Sequence, residues 1–156
     1  MQKFILLAAL FFSFNSLASV PYICNVSGVV ELQKKPFLSG KWKTKSSNRE
    51  YLCLRKSPVI NFSTDSQVVN ECEERTDMLN YKLIMTATLV GNENFNMRVE
   101  LGRRFTYGNF QGQTIINRDI VSGEQFEEEI TLEFPMTESK KEKYMLRTVR
   151  LICNPM

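Results

Sequence analysis

The chain has 156 residues, with 20 basic and 17 acidic side chains, and its formal net charge of +3 indicates no particular partner. It contains no histidine, which excludes serine–histidine and cysteine–histidine catalysis and the histidine-bearing zinc sites of metalloproteases. Its seven glycines form none of the loops that bind nucleotides or surround a serine nucleophile. We therefore expect no cofactor, no metal and no enzymatic activity.

The amino terminus has the three parts of a secretory signal peptide. Lys3 precedes an apolar run from Phe4 to Phe14, and small residues follow around Ala18. The run of about 11 residues is shorter than the about 20 that a membrane-spanning helix needs, so we predict a cleavable leader over 1–18. Residues 19–156 are then expected to form one exported domain, periplasmic or secreted, without a transmembrane segment.

The first half of this domain gives the weaker strand signals. Strands are predicted over 22–32, 37–44, 51–55 and 59–63. A short helix near 65–77 is the one alternative to strand, because Thr64 begins a sequence that resembles a capping box and apolar residues then recur at helical spacing.

The second half alternates clearly between apolar and polar residues. The firmest hairpin joins Leu79–Leu89 to Phe95–Leu101 across a turn that begins at Gly91. Strands follow over 104–107 and 114–120, and a second hairpin joins 126–134 to 144–153 across a loop starting at Pro135. These eight to ten or so short strands predict an all-β fold, either an antiparallel sandwich or a small closed barrel.

Four cysteines in an exported chain predict two disulfides. Their spacing contains no pair two residues apart of the kind that structural zinc prefers. Three pairings are possible. We favour Cys24 with Cys153, because both lie at the outer ends of predicted terminal strands, and hence Cys53 with Cys72.

An acidic cluster is the remaining place for catalysis, since two carboxylates brought together by folding can hydrolyse glycosidic bonds without any local motif. The cluster consists of Glu124, Glu127, Glu128, Glu129 and Glu133. On a strand, Glu127, Glu129 and Glu133 project away from the apolar face. We interpret them as a solvated face.

Basic residues supply the candidate binding surface. A basic stretch from Lys34 to Lys56 contains a single acid, Glu50, and surrounds Trp42, which we expect to face the core. A second cluster places arginines beside aromatic residues. The predicted surface comprises Lys34, Lys35, Lys41, Lys43, Lys45, Arg49, Arg103, Arg104 and Tyr107.

These features favour an exported, non-catalytic binding domain that recognises a protein or an anionic envelope polymer. Nucleic acid is not expected, because an exported protein seldom meets it. Three alternatives remain open: an inhibitor of a secreted hydrolase, a carboxylate-dependent glycan hydrolase, and a structural subunit of a surface assembly.

Overall fold

Nine β-strands and no helix form the part of the chain that a computed structural model describes, namely residues 21–53, 59–60, 67–76, 79–90, 94–104 and 110–156. In chain order the strands are β1 (Tyr22–Lys34), β2 (Lys43–Leu52), β3 (Val59–Ile60), β4 (Gln67–Arg75), β5 (Asn80–Leu89), β6 (Asn94–Arg104), β7 (Phe110–Val121), β8 (Phe126–Glu138) and β9 (Glu142–Pro155). Within these residues no helix could cross a membrane. The predicted leader, 1–18, lies outside them.

The strands build two antiparallel sheets that pack face to face. The first sheet has the order β2-β1-β9-β8, with β3 paired to the beginning of β1, and the second has the order β4-β5-β6-β7. The first and last strands are therefore neighbours at the centre of one sheet. Of the two predicted arrangements, the antiparallel sandwich is the observed one.

The core lies between the sheets and follows the predicted alternation. On β5, Tyr81, Leu83 and Met85 are buried, and the residues between them are less so. Met97 and Val99 of β6 face the same layer, and the β5–β6 pairing confirms the hairpin predicted from their pattern. The first sheet contributes buried residues from its two central strands, among them Val26, Val30, Leu146, Val149 and Leu151.

The helix considered near 65–77 is wrong where the chain is described, because Gln67–Arg75 forms strand β4. Its backbone pairs with β5 in a register that sets Cys72 opposite Leu83. Ladder hydrogen bonds and a disulfide from Cys72 thus outweigh a local capping signal, which tertiary context routinely overrides. Residues 65, 66 and 77 lie outside the described part.

Two strand boundaries also differ from the prediction. Of the strand expected over 37–44, residues 37–42 form a loop, and β2 begins only at Lys43 and continues to Leu52. Gly40 has a φ of 62°, a conformation that a strand does not use, and Pro36 lacks an amide to donate. Pro135 does not end its strand, because β8 lies at the sheet edge, where a proline is tolerated beside a bulge.

Both predicted disulfides are present. Cys24–Cys153 joins directly opposed positions of β1 and β9, whose Cα atoms are 4.1 Å apart, so it cross-links one sheet. Cys53–Cys72 joins the end of β2 to β4 and therefore connects the two sheets. The described part contains no free cysteine.

Different interactions hold the two lateral sides of the sandwich. On the β2 side, beside Cys53–Cys72, the buried Tyr81 hydroxyl accepts a hydrogen bond from the Cys53 amide at 3.0 Å. On the β8 side, Arg118 of β7 donates to Glu128 of β8 at 3.1 Å. Burial raises the pKa of the Tyr81 phenol, so the hydroxyl stays protonated at neutral pH.

Replacing Tyr81 with Phe should lower the free energy of unfolding by about 1–3 kcal/mol, because the buried Cys53 amide loses its acceptor. Urea unfolding followed by circular dichroism measures the change. Tyr51→Phe is the matched control, since Tyr51 is exposed on β2, and it should change stability little. Equal effects in the two variants would contradict the assigned role of the hydrogen bond.

Candidate functional site

The pairing of the first and last strands brings two hairpin turns side by side at one end of the first sheet. Lys34 of β1 lies opposite Lys43 of β2 on one side and Glu142 of β9 on the other. The Lys35 amide donates to the Lys141 carbonyl at 2.9 Å, which joins the two turns directly. We call residues 34–45 and 138–143 together the basic end.

The β1–β2 loop of the basic end presents two apolar side chains to solvent. Phe37 is 99% exposed and Leu38 is 96% exposed. They lie in a tight turn after Pro36, and the positive φ of Gly40 returns the chain toward β2. Most apolar residues in the described part of the chain are at least partly covered, and Phe37 and Leu38 have the highest exposed fractions among its large apolar side chains.

Lysines surround this apolar pair. The basic end contains Glu138 and Glu142 as its acidic residues, against eight lysines: Lys34, Lys35, Lys41, Lys43, Lys45, Lys140, Lys141 and Lys143. Glu142 forms an ion pair with Lys34, and its hydrogen bond raises the pKa of that lysine. With eight lysines against two glutamates, this end has a strong excess of basic side chains.

Trp42 anchors the base of the loop instead of entering the core. It is half-buried, and the Lys143 ammonium lies 4.8 Å from the centroid of its ring. This cation–π contact holds the β1–β2 loop against β9. The prediction that Trp42 faces the core is wrong, because it assumed a strand over 37–44 that the chain does not form.

The β8–β9 turn is organised by Ser139. Its hydroxyl accepts a hydrogen bond from the Glu142 amide at 3.0 Å and donates to the Glu142 carbonyl at 2.9 Å. The Ser139 amide donates to the same carbonyl at 2.7 Å. Hydroxyl-to-backbone bonds of this kind stabilise turns, so the β8–β9 turn is held in place locally.

The remaining predicted binding residues lie elsewhere. Arg49 is on the outer face of the first sheet, where it donates to Glu129 at 3.1 Å and to the Ser27 hydroxyl at 3.3 Å. Arg103 lies near the end of β6 in the second sheet, with its guanidinium 5.7 Å from the ring centroid of Phe134 on β8. Its Nε and Nη2 atoms are buried and make no hydrogen bond to any described residue. The Arg104 side chain and Tyr107 lie outside the described residues.

Three exposed glutamates of β8 are paired with arginines. Glu127 accepts from Arg150, Glu129 from Arg49, and Glu133 from Arg147. Clefts of about 290, 400 and 440 Å³ formed by described residues are each lined by at most one carboxylate. The described residues also include no cluster of three metal-ligating side chains. The solvated-face interpretation of this cluster fits these contacts.

Arg147 also connects β8 to β1. It donates to Glu31 at 2.8 Å, and this hydrogen bond lowers the pKa of the Glu31 carboxyl below its ordinary value of 4.5. A lowered pKa means that the folded protein binds fewer protons than the unfolded chain near that pH. The resulting stabilisation is present above about pH 4.5 and is lost as the pH falls through the lowered pKa.

Glu31→Gln should therefore lower stability by about 1 kcal/mol at neutral pH and weaken the loss of stability below pH 4.5. Thermal unfolding over an acid pH series measures both effects. Glu138→Gln, an exposed substitution at the end of β8, serves as the control and should leave the acid profile in place. If Glu31→Gln lost stability with falling pH in the same way as the wild type, the stabilising role assigned to the Glu31–Arg147 hydrogen bond would be contradicted.

Comparison of the chain with protein-family models, with curated proteins and with solved structures found no match.

Proposed function

We propose that this protein is an exported, non-catalytic binding domain that uses the basic end to hold an anionic surface. The observation that carries the proposal is the convergence of eight lysines on two neighbouring turns and the adjoining strand ends, at the end of the sheet that carries Phe37 and Leu38. A dense positive surface raises the local concentration of anionic partners and speeds their association.

The cysteines support the compartment in this proposal. Both disulfides are consistent with an oxidising environment, where such bonds form and persist. The apolar run from Phe4 to Phe14 supports export through a cleavable leader. Anionic polymers, lipid headgroups and acidic proteins are the partners that such a compartment offers to a cationic surface.

The shape of the site supports binding without catalysis. Its cations lie on turns and strand ends, and the clefts of about 290, 400 and 440 Å³ are lined by residues outside the basic end. The turns are fixed by backbone hydrogen bonds and by the Trp42–Lys143 contact. A surface that is ordered before binding loses little conformational entropy when a partner arrives.

The lysines can be tested on an immobilised phosphate-bearing matrix. The triple variant Lys35→Gln, Lys41→Gln, Lys43→Gln should bind about tenfold or more weakly than the wild type and should elute at lower salt. It leaves the Lys34–Glu142 and Lys143–Trp42 contacts intact. Salt-gradient elution and equilibrium binding give the two measurements.

A control variant with the same change in net charge distinguishes the effect of the position of the removed cations from the effect of the protein's total charge. Arg75→Gln, Arg98→Gln, Arg118→Gln removes three exposed cations from the second sheet. It should elute close to the wild type if the basic end is the binding surface. Equal losses in both triple variants would show that net charge alone drives retention, and the proposed surface would be rejected.

The projecting loop favours a second candidate, an inhibitor of a secreted hydrolase. A turn with two exposed apolar residues on a disulfide-linked scaffold is suited to enter an active-site cleft. This candidate predicts inhibition of a lysozyme-like enzyme or a protease at micromolar protein. Inhibition should disappear in Phe37→Ser, Leu38→Ser. Absence of inhibition across both enzyme classes would count against it.

A further inference from the structure

We propose that the anionic surface is a lipid bilayer, and that Phe37 and Leu38 enter its interfacial layer while the surrounding lysines contact lipid headgroups. The inference rests on the proposed function, because it uses the same basic end. It specifies which anionic surface is bound, a bilayer, and how the β1–β2 loop inserts into it.

The apolar pair is the reason to choose a bilayer over a hydrated polyanion. Phe37 and Leu38 are almost completely exposed and adjacent, at the tip of a loop that projects beyond the strands. A soluble polymer of phosphates or carboxylates offers no apolar phase to cover such side chains. The boundary between headgroups and acyl chains does, and burial of apolar surface there favours binding.

The lysines match the headgroup layer in sign and in reach. Anionic headgroups attract clustered basic side chains within about a Debye length of the membrane surface. Lysine also has a long apolar stem, so its ammonium can contact phosphate while the stem lies along buried surface. Lys35 and Lys41 flank the apolar pair in the chain, and the β8–β9 turn adds Lys140 and Lys141 beside it.

Trp42 has the position of an interfacial anchor. Its half-buried ring lies at the base of the loop beside the Lys143 ammonium. Tryptophan is enriched where an apolar phase meets water, because its ring is apolar and its indole N–H is polar. Insertion of Phe37 and Leu38 would bring Trp42 to the level of the headgroups.

The opposite end of the sandwich provides a comparison within the same molecule. It lies about 40 Å away along β1, estimated from the rise per residue of a strand. That end also has exposed apolar residues, namely Val90, Val121 and Met156, which are 48%, 43% and 67% exposed. The described residues of that end contain no lysine cluster, so we expect the domain to bind the bilayer with the basic end only.

Trp42 is the only tryptophan in the chain, which makes its fluorescence a direct readout of docking. The whole sequence is expressed, and mass spectrometry of the purified protein determines its amino-terminal residue. The wild type and every variant are compared in the same form. We expect a blue shift of the emission with vesicles of phosphatidylcholine and phosphatidylglycerol in equal parts. Vesicles of phosphatidylcholine alone should give little shift.

The variant Phe37→Ser, Leu38→Ser tests insertion. It should bind the mixed vesicles at least about tenfold more weakly than the wild type, because two apolar side chains no longer leave water. Its retention on the phosphate-bearing matrix should stay unchanged, because all lysines remain. The matched control is Val90→Ser, Val121→Ser, which removes two exposed apolar side chains from the opposite end and should bind vesicles like the wild type.

The outcomes separate this inference from the proposed function. Binding to the matrix without binding to mixed vesicles would overturn the bilayer and leave an anionic polymer or an acidic protein as the partner. Vesicle binding that is unchanged in Phe37→Ser, Leu38→Ser would overturn insertion. A wild-type protein that binds neither the matrix nor the mixed vesicles would reject the proposed function itself.

Discussion

The pairing of β1 with β9 is the contact on which the rest of the first sheet depends. These two strands are the first and last of the described chain, yet they lie side by side over thirteen paired positions and are cross-linked by Cys24–Cys153. Each then carries a hairpin partner on its outer side, β2 or β8. The positions of the edge strands β2 and β8 are therefore fixed by the central pair, β1 and β9.

The candidate site is a consequence of that pairing, because neither turn alone would make it. Residues 34–45 supply the apolar tip and five of the eight lysines, and residues 138–143 supply the backbone acceptor at Lys141 and the ammonium of Lys143. Outer-face ion pairs such as Arg147 with Glu31 hold the same strands together farther along the sheet. The proposed binding surface therefore depends on the same β1–β9 pairing as the scaffold.

The sequence predicted those features that depend on alternation and on cysteine pairing. Buried Leu83 and Val99 follow from a period of two, and so did the hairpin that contains them. The wrong predictions are those in which tertiary contacts decide the local structure. Residues Gln67–Arg75 form strand β4 because they pair with β5. Trp42 contacts Lys143 because Gly40, with its positive φ, lies in a loop where a strand was expected. The proximity of the two turns could not be predicted, because it depends on a pairing between residues more than a hundred positions apart.

The central place of β9 also constrains the order in which the chain can fold. Consecutive strands β4 to β7 pair only with sequence neighbours, so the second sheet can form as soon as those residues are available. The first sheet has to wait, because β1 lacks its long partner until residues 142–155 have been synthesised. During that interval the edge of β1 that pairs with β9 lacks its hydrogen-bond partner, and Cys24 lacks the cysteine to which it is bonded in the folded protein.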